Sequence, residues 1–109
     1  MLNFSLGSGP ITLRADFDVL DKFGNVLTVD WTTQTDYTLV FESSDPTIVT
    51  LASPGCDARL ATPGPVAVGT ARIKATVSYK GNVLGTVEDD VQVIAGAPDH
   101  LGNQKWTVV

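Results

Sequence analysis

The stretch FESSDPTIVTL (residues 41–51) decides how this chain is read. Phe41 and Glu42 close one segment of alternating apolar residues, and Thr47 to Leu51 open another that is short and β-branched. Between them Ser43, Ser44, Asp45 and Pro46 interrupt any continuous strand pairing. Pro46 has no amide proton and pushes Asp45 into an extended conformation, while serine and aspartate side chains accept hydrogen bonds from the nearby backbone. Such a corner carries the chain directly from one strand to the next. In a two-sheet fold it is where a chain can change sheets.

Upstream of the corner the pattern has period two. Ile11, Leu13, Ala15, Phe17 and Val19 fall on one side and Thr12, Arg14, Asp16 and Asp18 on the other, which is the signature of a half-buried strand. DKFGN follows, with Gly24 and Asn25 tolerant of positive φ, and then VLTVDW, so a hairpin is expected here. After the polar loop TTQTD, the segment YTLVFES resumes as a strand with Tyr37, Leu39 and Phe41 on one face.

Downstream, residues 52–68 are rich in loop formers, with Pro-Gly twice and room for one small strand around residues 58–61. GTARIKATVSYKGN gives the strongest alternation in the chain: Ala71, Ile73, Ala75, Val77 and Tyr79 inward, Arg72, Lys74, Thr76 and Ser78 outward. Gly81 and Asn82 begin a turn, and TVEDDVQVIAG returns with Val87, Asp89, Val91, Val93 and Ala95 on one face. Asp89 fits that face only at the rim of the sheet or in a bulge. No segment sustains a helical period, and six to eight short strands in a chain of 109 residues predict one all-β sandwich.

Composition narrows the function. The formal net charge is −5 and the basic residues are scattered, with only Arg72 and Lys74 close together, so neither nucleic acid nor an anionic membrane surface is an expected partner. The single cysteine, Cys56, forms no internal disulfide and reads as a bystander thiol in the loop SPGCDAR. MLNFSLGSGP lacks the basic and apolar regions of a secretion signal, and no window is long and apolar enough for a membrane helix.

The aromatic-x-Ser-Ser-Asp-Pro corner, Ile-Val-Thr-Leu, the Pro-Gly-rich stretch, Gly-Thr-Ala-Arg-Ile-Lys-Ala-Thr-Val and the closing Val-Gln-Val-Ile-Ala-Gly come in a telling order. That order resembles the bacterial immunoglobulin-like domains of group 2, the modules of intimin- and invasin-type adhesins and of many tailed-phage virion proteins. Phe41, Ser43, Ser44, Asp45, Pro46, Gly69, Thr70, Ala71 and Ile73 carry the resemblance, which spans residues 11–95. The segment DVLDKFGN is similar to the first hairpin of the family. Phe41 stands where the family usually has tryptophan, and CDARLATPGPVA is less regular than the family's strand at that place. The resemblance implies an immunoglobulin-like sandwich of about seven short antiparallel strands. It is a statement about architecture, since the matching residues are fold signatures.

Three regions follow: residues 1–10 as an N-terminal arm or extra strand, 11–95 as the sandwich, and 96–109 as a C-terminal tail. A nucleophile needs a base within hydrogen-bond reach, and the chain has one histidine, His100, and none of the hydrolase, metalloprotease or phosphate-loop motifs. GSGP at residues 7–10 and GAP at residues 96–98 read as turns or linkers, because no helix follows them. Neither an enzyme nor a cofactor is expected. The acidic groups Asp16, Asp18, Asp21 and Glu88, Asp89, Asp90 lack calcium-loop spacing and read as a solvated face that keeps strand edges apart.

The termini carry more information. Leu2 and Phe4 in the head, and Leu101, Trp106, Val108 and Val109 in the tail, are the candidate partner-docking residues. A tryptophan beside two valines is costly to leave in water, so the tail packs either on this domain as an edge strand or on a neighbour. The expected role is that of a virion structural protein, made in the host cytoplasm without a signal peptide. It would decorate a phage capsid, dock on a capsid or other virion protein, and associate with further copies of itself at symmetric lattice points. The alternatives are an adhesin-type module binding a cell-surface glycan or protein through Trp31, Tyr37 or Tyr79, and a spacer without a ligand.

Overall fold

The computed structural model describes residues 1–7, 11–96 and 101–109. It is all-β, with nine strands among the described residues: β1 (Leu2–Ser5), β2 (Leu13–Arg14), β3 (Val19–Leu20), β4 (Val26–Leu27), β5 (Tyr37–Ser43), β6 (Val49–Ala52), β7 (Leu60–Pro65), β8 (Gly69–Tyr79) and β9 (Asn82–Ile94). One sheet has the order β1-β9-β8-β5 and a second the order β2-β7-β6, while β3 and β4 pair as a separate hairpin. The sheets β9-β8-β5 and β2-β7-β6, sharing one core, are compatible with a β-sandwich of immunoglobulin-like kind, with β3 and β4 outside both. Every pairing is antiparallel except β1 with β9, which is parallel.

The Ser-Ser-Asp-Pro corner does what its residues predict. β5 ends at Ser43 in the first sheet and β6 begins at Val49 in the second, so the chain changes sheets across residues 44–48. The Asp45 carboxylate accepts the Thr47 amide at 3.0 Å, and the Asp45 carbonyl accepts the Ile48 amide at 3.0 Å. Ser44 ties the corner back to β8: its amide donates to the Arg72 carbonyl and its hydroxyl accepts the Arg72 amide, both at 2.8 Å.

Directly after the corner Val49 is 0% exposed, at the centre of a core with Phe4, Ala71, Val91 and Val93. Leu2, Leu6, Ile11, Leu13, Ile48 and Ile73 pack around that cluster. These residues come from both sheets, so this end of the molecule is held by apolar burial across the sandwich. At the other end an aromatic row bridges the loops: Phe17 meets Trp31 edge-on at 5.3 Å, Trp31 meets Tyr37 at 5.3 Å, and Tyr37 meets Tyr79 at 4.8 Å. Tyr37 and Tyr79 are directly opposed in the β5–β8 register, which accounts for their contact.

The alternation in residues 11–20 holds position by position, with the odd residues half-buried and the even ones exposed. Ladder pairing nevertheless covers only β2 and β3, and these belong to different sheets. The predicted first hairpin is present as β3 and β4, with Gly24 at φ +83°.

Three expectations need correction. The middle strand lies at residues 60–65 rather than 58–61, and it runs through two prolines. Pro63 and Pro65 face Leu51 and Val49 at alternate positions, and the side of β7 that β2 would cover is open beyond Ala61, so the missing amide protons break no ladder bond there. The β8–β9 loop is Lys80 and Gly81, one residue earlier than predicted; both have positive φ, at 47° and 85°, as in a two-residue type I′ loop. β9 has a bulge at Leu84, since Val77 pairs with Gly85 and Ser78 with Val83, while Asp89 is regularly paired with Ile73 and half-buried on the stretch that β1 leaves uncovered, in keeping with the rim alternative. The strand count is nine rather than about seven, because the alternating segment 11–20 is split and β1 is an added strand.

Candidate docking surface

The candidate docking residues divide into two sets. Phe4 is only 5% exposed and sits in the core, and Leu2 packs half-buried against it, so the head is a structural strand and Phe4 presents no free surface. Parallel pairing of Leu2 to Ser5 with Val91 to Ile94, extended by a 3.0 Å bond from the Leu6 amide to the Ile94 carbonyl, fixes the head there. The tail behaves in the opposite way. Leu101 is 77% exposed, and Trp106, Val108 and Val109 are fully exposed. Burying the tryptophan ring alone is worth on the order of 4 kcal/mol at 150–250 Å² of surface. Residues 104–109 are neither helical nor paired. His100 and most of the segments read from the sequence as turns or linkers, residues 8–10 and 97–98, lie outside the described residues.

Two clefts draw on residues of β9. One, of about 230 Å³, is lined by residues of both sheets, Leu2, Leu13, Phe41, Leu51, Ile73 and Val87 among others, together with the charged residues Arg14, Asp16, Lys74, Glu88 and Asp89. The second, of about 350 Å³, is lined by Phe17, Asp18, Val19 and Leu20 and by Leu84, Gly85 and Val87. The two share Val87. Sequence reasoning missed these clefts, because their linings come from segments far apart in the chain and include β9 from Leu84 onward. The apolar residues Val83 and Leu84, before the predicted start of the strand, were the available signal.

Charged groups are mostly paired at the surface. On the outer face of the first sheet Arg72 donates to Glu88 and Asp90, with nitrogen–oxygen distances of 2.9 and 2.8 Å, and Lys74 lies 3.7 Å from Glu42. The Glu88 and Asp90 carboxylates hold the Arg72 guanidinium firmly protonated. These are exposed cross-strand pairs of small energetic weight. Asp57 is the one buried polar side chain among the described residues, and it grips Arg59 through two side-chain bonds of 3.0 and 3.3 Å and one from the Arg59 amide at 2.8 Å. The hydrogen bond from the Arg59 side chain is the main reason its carboxyl is held below the usual aspartate range, against an opposing effect of burial. Arg59 in turn lies 5.3 Å over the Trp31 ring. Trp31 thus touches Phe17, Tyr37 and Arg59, so it is a bracing residue of the loop end.

The acidic residues of the first hairpin serve the backbone. Asp21 accepts the Asn25 amide at 3.0 Å and the Phe23 amide at 2.8 Å, and those bonds hold its carboxyl below the ordinary range. Asp16 is bonded to Arg14 at 2.6 Å. Among the described residues no group of three or more histidine, cysteine, aspartate or glutamate side chains converges in a way that could hold a metal ion. Cys56 is exposed. No helix of the described residues is long and apolar enough to cross a membrane. No protein-family model matches the sequence, and neither a curated protein nor a solved structure is significantly similar to it.

Proposed function

We propose that this chain is a non-enzymatic structural module of a virus particle, a capsid decoration or accessory protein that attaches through its C-terminal tail. The observation that carries the reading is Trp106, fully exposed beside Val108 and Val109 on a segment that gains nothing from its own domain. An aromatic anchor flanked by aliphatic residues and held apart from the core is how a small module docks on a larger assembly. The resemblance of residues 41–46 and 69–73 to the group 2 bacterial immunoglobulin-like pattern adds support, since that module occurs in tailed-phage virion proteins. A fold held by packing, with its single cysteine exposed, is suited to assembly in a reducing compartment.

The adhesin alternative needs a free aromatic platform. Trp31 and Tyr37 already stack on protein groups, so the aromatic row supports a scaffold in preference to a glycan site. The proposal is tested by fractionating a lysate of the source on a density gradient and locating the chain by mass spectrometry. Co-migration with megadalton particles is expected. A chain found only at the top of the gradient would sink the decoration reading.

A further inference from the structure

β5 is the outermost strand of the first sheet, paired with β8 without a break from Tyr37 to Ser43 and with no strand on its other side among the described residues. Backbone groups of an antiparallel strand point to its two sides in alternation. The Asp36 carbonyl accepts the Lys80 amide at 2.9 Å and the Ser44 amide donates to the Arg72 carbonyl at 2.8 Å, so the even-numbered residues face β8. Tyr37, Leu39, Phe41 and Ser43 therefore direct their amides and carbonyls to the open side. There the first rung is filled from within the chain. The Tyr37 amide donates to Gln34 Oε1 at 2.7 Å, and Gln34 Nε2 donates to the Tyr37 carbonyl at 3.1 Å. One side-chain amide thus makes both bonds that a residue of a neighbouring strand would make. Its loop is braced: the Gln34 amide donates to the Asp30 carbonyl at 3.0 Å, and the Trp31 ring lies 5.3 Å from that of Tyr37.

We propose that Gln34 is an edge cap, which occupies the ladder position beside Tyr37 and so keeps β5 from pairing with β5 of a second copy of the chain. The strand is otherwise suited to that pairing. Two copies running antiparallel about Val40 set Val40 against Val40, Leu39 against Phe41, Thr38 against Glu42 and Tyr37 against Ser43, with no like charges opposed. Val40, at the centre, is 56% exposed. With Gln34 in place the Tyr37–Ser43 bonds are lost at both ends, and only those between Leu39 and Phe41 remain. Pairing centred on Leu39 also calls on Tyr37. Pairing centred on Phe41 avoids it, but brings the two Glu42 side chains onto diagonal positions and sets Tyr37 against Asp45 in the corner. The open stretch of β9 is guarded differently, by the bulge at Leu84 that interrupts its ladder. The inference goes beyond attachment through the tail: it concerns what keeps free copies of the sandwich from joining sheet to sheet.

The test compares wild-type, Gln34→Ala and Gln34→Ala/Val40→Lys full chains by sedimentation equilibrium and amide hydrogen exchange, with circular dichroism to verify the fold of each. In the wild type the Tyr37 amide should exchange at least about tenfold more slowly than those of Leu39 and Phe41. Gln34→Ala should self-associate at least about tenfold more tightly than the wild type, with exchange at Leu39 and Phe41 slowing as concentration rises. Adding Val40→Lys should return it to wild-type behaviour, because two lysines would meet at the centre of the pairing. Gln34→Ala associating no more than the wild type overturns the proposal, as does association indifferent to Val40→Lys. A wild-type Tyr37 amide exchanging as fast as those of Leu39 and Phe41 overturns it without any variant, which covers the case of a variant that does not fold. No particle is present in this experiment, so its failure leaves the decoration reading to be judged separately.

Discussion

Replacing Val49 by alanine should remove a large share of the folding free energy, while replacing Val108 by alanine should leave it unchanged. Val49 is 0% exposed, on β6 directly after the corner, and contributes to the core with Phe4, Ala71, Val91 and Val93. Truncation withdraws two methyl groups at about 0.8 kcal/mol each. If the rigid neighbours do not collapse, a void on the order of 50 Å³ adds roughly 1 kcal/mol. The sum, about 2–3 kcal/mol, compares with a total of roughly 5–15 kcal/mol for a domain of this kind. The midpoint of thermal unfolding should fall by about 10–20 °C. Val108 is fully exposed and should shift it by less than a degree or two. Urea and thermal unfolding followed by far-ultraviolet circular dichroism, at concentrations low enough to keep the chain monomeric, read both values. A loss below about 0.5 kcal/mol for Val49→Ala, or a loss of the same size for Val108→Ala, would refute the division into a core-forming sandwich and a free tail.

Other expectations follow from particular contacts. Gly69→Ala should destabilise by about 1–3 kcal/mol, since φ is +153° and the new Cβ would lie 2.6 Å from Ile48 Cδ1; Gly24→Ala, where the space is open, should cost less by the same unfolding assay. Asp57, Asp21 and Asp30 all have carboxyl pKa values lowered by hydrogen bonds to the ionised form, from Arg59, from Asn25 and from Thr32 respectively. Their stabilisation is complete above the unfolded value of 3.8 and is lost as pH falls through the lower folded values, so a urea titration should show a flat neutral range and a decline confined to acid. Asp57→Asn should flatten part of that decline; an unchanged profile would contradict the assignment. In a Trp106→Ala background Trp31 is the sole tryptophan, and its fluorescence should be indifferent to added saccharides because its ring is already stacked. Saturable quenching would restore the adhesin reading.

The corner was legible because each of its residues acts locally: Pro46 denies a ladder bond, Asp45 bonds the backbone two residues on, and the change of sheets follows. The alternation at residues 71–79 was equally plain, since one face of β8 is buried and the other carries the ion pairs. β7 was harder, because its prolines are tolerated only through the absence of a neighbour beyond Ala61, a fact of topology rather than of the local chain. The head reads in the sequence as an arm or extra strand with Phe4 a candidate docking residue; it is a strand, and Phe4 is a core residue placed by parallel pairing with the far end of the chain. The tail residues were recognisable as unusual from the sequence, but the clefts that draw on β9 were not. Their linings gather residues from several strands far apart in the chain.

The central claim is that the sandwich is a carrier and the Trp106 tail makes the attachment. Its most direct test mixes purified wild-type and Trp106→Ala protein with purified particles that lack the chain, and measures what sediments with the particles. The account predicts that wild-type protein co-sediments in a saturable way while Trp106→Ala, equally stable by thermal melting, remains in the supernatant. Equal binding of both proteins, or binding of neither, would contradict it.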